Sequence, residues 1–138
     1  MTKTLLTALA LAALAAPALA AGDAAKGEAE FKKCKACHAI VAPDGTEIQK
    51  GGKTGPNLYG VIGRAVGGDA GYSAYGDSIK AVGAAGTVWD EASLAAYVKD
   101  PAGWLKEVSG DSAAKSKMSF KLAKGGEDVA AYLASVAK

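Results

Sequence analysis

Histidine, cysteine and arginine are nearly absent from this sequence. Its 138 residues hold one histidine and two cysteines, and Arg64 is the only arginine. A closed structural zinc site takes four nitrogen or sulfur ligands. One histidine and two cysteines supply three, so this chain does not build one alone. One arginine and a net charge of +2 argue against nucleic acid as a partner, which calls for a clustered basic surface. No strand pattern surrounds the cysteines, which removes the βαβ setting that a thioredoxin-like dithiol needs. Large apolar side chains are few as well. Half of the residues are hydrophobic, but alanine inflates that share, with only two Phe and two Trp.

What is present is concentrated. Both cysteines and the histidine stand within five consecutive residues, Cys34-Lys35-Ala36-Cys37-His38. This is the C-x-x-C-H pattern of c-type haem attachment. Two thiols so spaced can each add to one vinyl group of a single haem. His38, next to Cys37, then reaches the iron through a ring nitrogen. A buried haem would also supply the apolar surface that the side chains lack, so it is expected to be structural as well as functional.

The first twenty residues read as a secretory signal peptide. Lys3 precedes an apolar stretch from Leu5 to Ala16, Pro17 ends it, and Ala18-Leu19-Ala20 is a small-residue cleavage site. The stretch is short for a bilayer span, which takes about 20 residues. Cleavage after Ala20 would leave a single domain from Ala21 to Lys138, exported to a bacterial periplasm.

That domain is expected to be all-α, with helices joined by glycine-rich loops. Helices are predicted over Ala24–Cys37 with Asp23 as N-cap, over Asp77–Val82, over Ser93–Asp100 ending before Pro101, and over Glu127–Ala137. One further turn is expected at Ala102–Lys106. Ile40–Lys53 and Val108–Lys117 read as loops, from turn signals such as Asp44-Gly45 and Gly51-Gly52.

Met118 emerges by elimination as a sixth iron ligand. No second histidine exists, and Met1 leaves with the signal peptide. An open sixth position and a lysine ligand stand as the alternatives. A thioether opposite histidine favours ferrous iron and raises the potential.

Several further segments carry a family resemblance. Gly22-Asp23-Ala24-Ala25-Lys26-Gly27 with Phe31 is similar to the N-terminal helix of class I c-type cytochromes. Lys53 to Arg64, Tyr97-Val98-Lys99-Asp100-Pro101, Lys117-Met118-Ser119-Phe120 and Glu127 to Leu133 resemble further segments of that family, closest to its bacterial c2 group. The resemblance implies a single-domain fold wrapped around one covalent haem c, held through Cys34 and Cys37, with His38 and Met118 as metal ligands. It implies that the Pro56 carbonyl accepts from His38 Nδ1–H, and that Arg64 lies near a haem propionate. It makes Tyr75 and Trp89 propionate-side donors, sets Tyr97 beside the Met118 sulfur and Phe120 against the haem, and lets Gly27 and Phe31 meet the C-terminal helix around Tyr132. Four features depart from shorter relatives: a longer segment after His38, another between Trp104 and Met118, one extra residue in Gly71–Tyr75, and Ile79 where many relatives carry asparagine.

The function implied is a one-electron carrier, not an enzyme, and a monomer. Its donor would be a cytochrome bc1 complex. Its acceptor would be a photosynthetic reaction centre or a terminal oxidase. Lys32, Lys33, Lys35, Lys53, Lys115, Lys117 and Lys121 flank the ligand-bearing segments, and a ring of them around the haem edge is expected to attract acidic partners.

Overall fold

Asp23 starts the first helix, α1 (Ala24–Glu30), by accepting from the backbone N–H groups of Ala25 and Lys26 at 3.0 and 3.2 Å. Two of the otherwise unpaired amides at the helix start are thereby satisfied. The computed structural model describes residues 22–137. The expected signal peptide over residues 1–20 lies outside them, as do Ala21 and Lys138.

The predicted helix over 24–37 does not run through. After Glu30 the chain tightens into a 3-10 turn, Phe31–Lys33, and continues as turns to Cys37. The amide of Cys34 donates to Phe31 O, three residues back, at 2.8 Å. That of His38 donates to Cys34 O at 3.0 Å. The tighter winding buries Phe31 completely and brings both cysteines and His38 to the wall of one cavity.

The expected loop after His38 contains a small antiparallel hairpin. Strand β1 (Ile40–Val41) pairs with β2 (Glu47–Gln49), with a bulge between Ile40 and Val41. Strands of two and three residues are too short to show alternation, so only their turn was legible. At that turn Gly45 adopts φ 88°, and Asp44 accepts from the amide of Thr46. Gln49 Nε2 donates to Tyr132 Oη at 2.9 Å, tying the hairpin to the last helix.

Helix α2 spans Asp77–Ala84, two residues beyond its expected end. Helix α3 spans Glu91–Lys99, starting two residues early because Asp90 and Ser93 form a reciprocal capping box. The single turn expected at Ala102–Lys106 is a full helix, α4 (Pro101–Ser109), which also takes in the start of the expected loop at Val108. Pro101 stops α3 and starts α4, since its missing N–H and fixed φ suit a first helical position. Helix α5 spans Gly126–Val136.

The core forms where α1 crosses α5 and α3 runs alongside. A Cβ at Gly27 would overlap the Asp128 carbonyl and lie 2.8 Å from Tyr132 Cβ, so only glycine permits this crossing. Phe31 and Tyr132 close it with ring centroids 5.9 Å apart. An aromatic group within the same core joins α3 and α4. Trp89 stacks on Trp104 at 5.0 Å, and Tyr97 meets both edge-on at 5.1 and 5.6 Å.

Candidate haem site

The core encloses an apolar cavity of about 320 Å³, walled in part by Leu94, Tyr97, Val129 and Leu133 of α3 and α5. Every residue that the sequence assigned to the haem or its iron lines it: Cys34, Cys37 and His38 from the turn after α1, Pro56 and Arg64 from the glycine-rich run, Tyr75 and Trp89, Tyr97 of α3, and Met118 with Phe120. Their separation in sequence reaches 86 residues between Cys34 and Phe120, so the fold assembles them.

The histidine side is firmly built. His38 Nδ1 lies 2.8 Å from the carbonyl oxygen of Pro56. A carbonyl can only accept, so Nδ1 carries the proton and Nε2 keeps the lone pair. Burial holds the imidazole below its usual pKa, with the Pro56 bond opposing, which keeps it neutral and able to bind a metal at neutral pH. Gly55 makes room for the ring. A Cβ there would strike Cε1 and lie 2.7 and 2.8 Å from Nδ1 and Nε2. Backbone bonds hold this loop against the cysteine turn, from Gly55 N to Cys37 O at 2.8 Å and from Gly52 N to Lys35 O at 2.9 Å.

Neither cysteine is in a disulfide. Burial pushes the Cys34 thiol up to about 11, Glu30 adding to the rise and Lys33 opposing it. A buried apolar setting disfavours thiolate, and it suits a sulfur that ends as a neutral thioether.

On the other side, Met118 is half-buried against the core. Ser116, which sequence reasoning passed over, holds its backbone: Ser116 Oγ accepts from Met118 N at 3.1 Å and donates to Met118 O at 2.9 Å. Tyr97 Oη lies 3.5 Å from the same hydroxyl. Phe120 sits at the rim, 44% exposed.

Arg64 is half-buried and donates through Nη1 to Asn57 O at 2.8 Å and through Nη2 to Tyr59 O. These carbonyl bonds fix the guanidinium at the cavity wall. Asn57 was also unassigned from the sequence, although it lies within the quoted run. Its side chain accepts from Val41 N and Tyr59 N and donates to Val41 O, and its amide donates to Asp69. Asp69 N in turn donates to Tyr75 Oη at 3.2 Å, which leaves the phenol proton available to a further acceptor. Burial raises the Tyr75 pKa, so it remains a donor at neutral pH. Ile79 lines the cavity and contributes no polar group.

A cytochrome c2 from Rhodobacter capsulatus is 64% identical over 111 residues, covering 80% of this chain and 80% of that protein. This chain belongs to the cytochrome c2 family. A cytochrome c-550 from Paracoccus pantotrophus is 61% identical over 109 residues, 78% of this chain and 81% of that one. The solved structure of Rhodobacter capsulatus cytochrome c2 matches with a TM-score of 0.83 at 66% identity, covering 85% of this chain and 100% of that one. No family model matches the chain. Membership makes the fold that of a class I cytochrome c, the cofactor one covalent haem c, and the protein an electron carrier rather than an enzyme. The donor set fits that cofactor: two thiols and a neutral imidazole from one turn, a thioether across the sequence, and an apolar enclosure.

Proposed function

We propose that this member of the cytochrome c2 family is a periplasmic carrier whose haem iron is bound by His38 and Met118 and whose haem is attached through Cys34 and Cys37. Bound there, haem supplies an iron that gains and loses a single electron. The observation that carries the reading is the His38 Nδ1 bond to Pro56 O within a cavity that Met118 also lines. Pro56 fixes the ring and leaves Nε2 as the ligating atom, and such supporting bonds commonly govern affinity by 10–100-fold. Met118 would fill the coordination sphere, which suits transfer through an edge and opposes substrate binding. Arg64, Tyr75 and Trp89 would hold the propionates, Arg64 as a planar multi-donor cation and Tyr75 through its free proton. Tyr97, a buried neutral phenol, would stand beside the Met118 sulfur, and Phe120 would cover the rim.

The donor would be a cytochrome bc1 complex and the acceptor a photosynthetic reaction centre or terminal oxidase. A carrier must bind and leave quickly, so its interface should be below about 1,200 Å², with attraction supplied by long-range charge. The lysines do not contribute equally to that charge. Lys33 is paired with Glu30 at 2.6 Å and Lys121 with Asp100 at 2.9 Å. Lys32, Lys35, Lys53, Lys115 and Lys117 make no ion pair among the described residues, and they would dominate the docking field.

The test of ligation is the ferric spectrum. Met118 ligation predicts a near-infrared sulfur-to-iron charge-transfer band. Met118→Ala should lose the band, lower the potential and admit small ligands. A variant keeping both band and potential would remove Met118 from the iron.

A further inference from the structure

The peptide unit that serves His38 is itself bonded on its other side. The Pro56 carbonyl accepts from His38 Nδ1–H at 2.8 Å. The N–H of the same unit, that of Asn57, donates to Asp69 Oδ2 at 3.1 Å. Asp69 is half-buried and held from two further points. Its Oδ1 accepts from Gly71 N at 3.0 Å, and its amide donates to Tyr75 Oη at 3.2 Å. It makes no ion pair among the described residues. Arg64, the cation of this run, directs Nη1 and Nη2 to the carbonyls of Asn57 and Tyr59. The carboxylate therefore meets backbone N–H groups, and one of them leads through a single peptide bond to the histidine.

We propose that Asp69 is a positioning residue that tunes the iron through this peptide, the far end of a relay that runs from its carboxylate to Asn57 N–H, Pro56 C=O and His38 Nδ1–H. The proposal rests on His38 being an iron ligand. A peptide is delocalised, so its N–H and C=O form one polarisable unit. A negative acceptor at the N–H favours the resonance form with charge on the carbonyl oxygen, and linked hydrogen bonds strengthen one another in this way. A more negative Pro56 oxygen pulls harder on the Nδ1 proton, and the imidazole becomes a stronger donor to iron. Metal-bound histidines often bond a carboxylate directly, which raises their basicity. Here one peptide stands between the two. A more basic histidine favours ferric iron, so Asp69 holds the potential down, against the pull of the Met118 thioether. The intervening bonds attenuate the effect, so it is modest.

The experiment pairs a redox titration of the holoprotein with proton nuclear magnetic resonance of its ferrous form. Asp69→Asn keeps an acceptor oxygen at the same reach and removes the charge. At a fixed ambient potential its reduced-to-oxidised ratio should rise about threefold, equivalent to about 30 mV at 59 mV per decade for one electron. Its His38 Nδ1–H resonance should move upfield, as a weaker hydrogen bond requires. Asp77→Asn is the charge control. Asp77 is fully exposed and stands next to Gly76, which lines the cavity, but takes no part in the relay. Solvent screens such a charge, so the ratio should stay within about 1.5-fold of wild type, with the Nδ1–H resonance unmoved. A wild-type ratio in Asp69→Asn overturns the relay. A raised ratio with an unmoved Nδ1–H resonance also overturns it, because the charge then acts through space. An equal rise in Asp77→Asn overturns it on the same ground. A wild-type protein whose His38 Cε1 and Cδ2 protons show no displacement by the haem ring current overturns His38 ligation instead, so the two failures are told apart.

Discussion

Gly55→Ala is the sharpest perturbation of the histidine side. The added methyl would strike His38 Cε1 and stand 2.7 and 2.8 Å from the two ring nitrogens. These separations lie below ordinary contact distance, and the ring is not a flexible chain end. Its Nδ1 is bonded to Pro56 O in half-buried surroundings. Overfilling of this kind costs about 1–3 kcal/mol. Displacing the ring would also lose the Pro56 bond, about 1 kcal/mol more. The expected loss is about 2–4 kcal/mol, a large share of the roughly 5–15 kcal/mol that stabilises a domain. For a chain of this size the melting temperature should fall by roughly 6–20 °C. Thermal unfolding of the holoprotein, followed at far-ultraviolet and haem wavelengths, measures it, and cyclic voltammetry should register a shifted potential. Gly71→Ala is the control. Its Cβ would meet only Asp69 Oδ1 at 3.4 Å, and a glycine-to-alanine change without strain stabilises by about 0.4–1 kcal/mol. If Gly55→Ala melts within a degree or two of wild type at an unchanged potential, the cradle around His38 is looser than these distances imply.

Three further outcomes are expected. Asp90→Ala should cost about 1 kcal/mol by uncapping α3, and a denaturant titration that finds no change would deny the cap its role. Asp100 is held below its usual carboxyl value of 3.8 chiefly by Lys121, with the Gly103 amide assisting. Its stabilising contribution should therefore be complete above pH 3.8 and fade as pH falls through the lower folded value. The melting-temperature gap between wild type and Asp100→Asn should narrow across that window, and a constant gap down to pH 2 would contradict it. Lys35→Glu should slow electron transfer with an acidic partner at low salt and flatten the salt dependence, because the Debye length is about 10 Å at 0.1 M. An unchanged rate and salt dependence in Lys35→Glu would remove Lys35 from the encounter surface.

The chemistry of the site was legible because it is written locally and by scarcity. Cys34, Cys37 and His38 stand within five residues, and elimination left Met118 as the remaining sulfur. The helix starts were readable where one side chain does the work, as at Asp23. They were misread where two residues cooperate, as in the Asp90–Ser93 box. The break at Glu30, the hairpin at Ile40–Gln49 and the length of α4 were hidden, because their bonds or partners lie outside any local period. Gln49 reaches Tyr132 across 83 positions, and no spacing rule announces that.

The sequence by itself determined the cofactor class, because C-x-x-C-H with no other histidine leaves few uses for those residues. Tertiary structure alone decided how the ligands are held. The His38 tautomer depends on a carbonyl 18 residues away, and the room for its ring on a missing side chain at Gly55. The Met118 loop depends on Ser116, Tyr97 and the Lys117 contact with Ala74. Residue identities state which atoms can ligate, donate or accept. Which of them meet is set by helix crossings such as Gly27 against α5, because close packing leaves each side chain few positions to occupy.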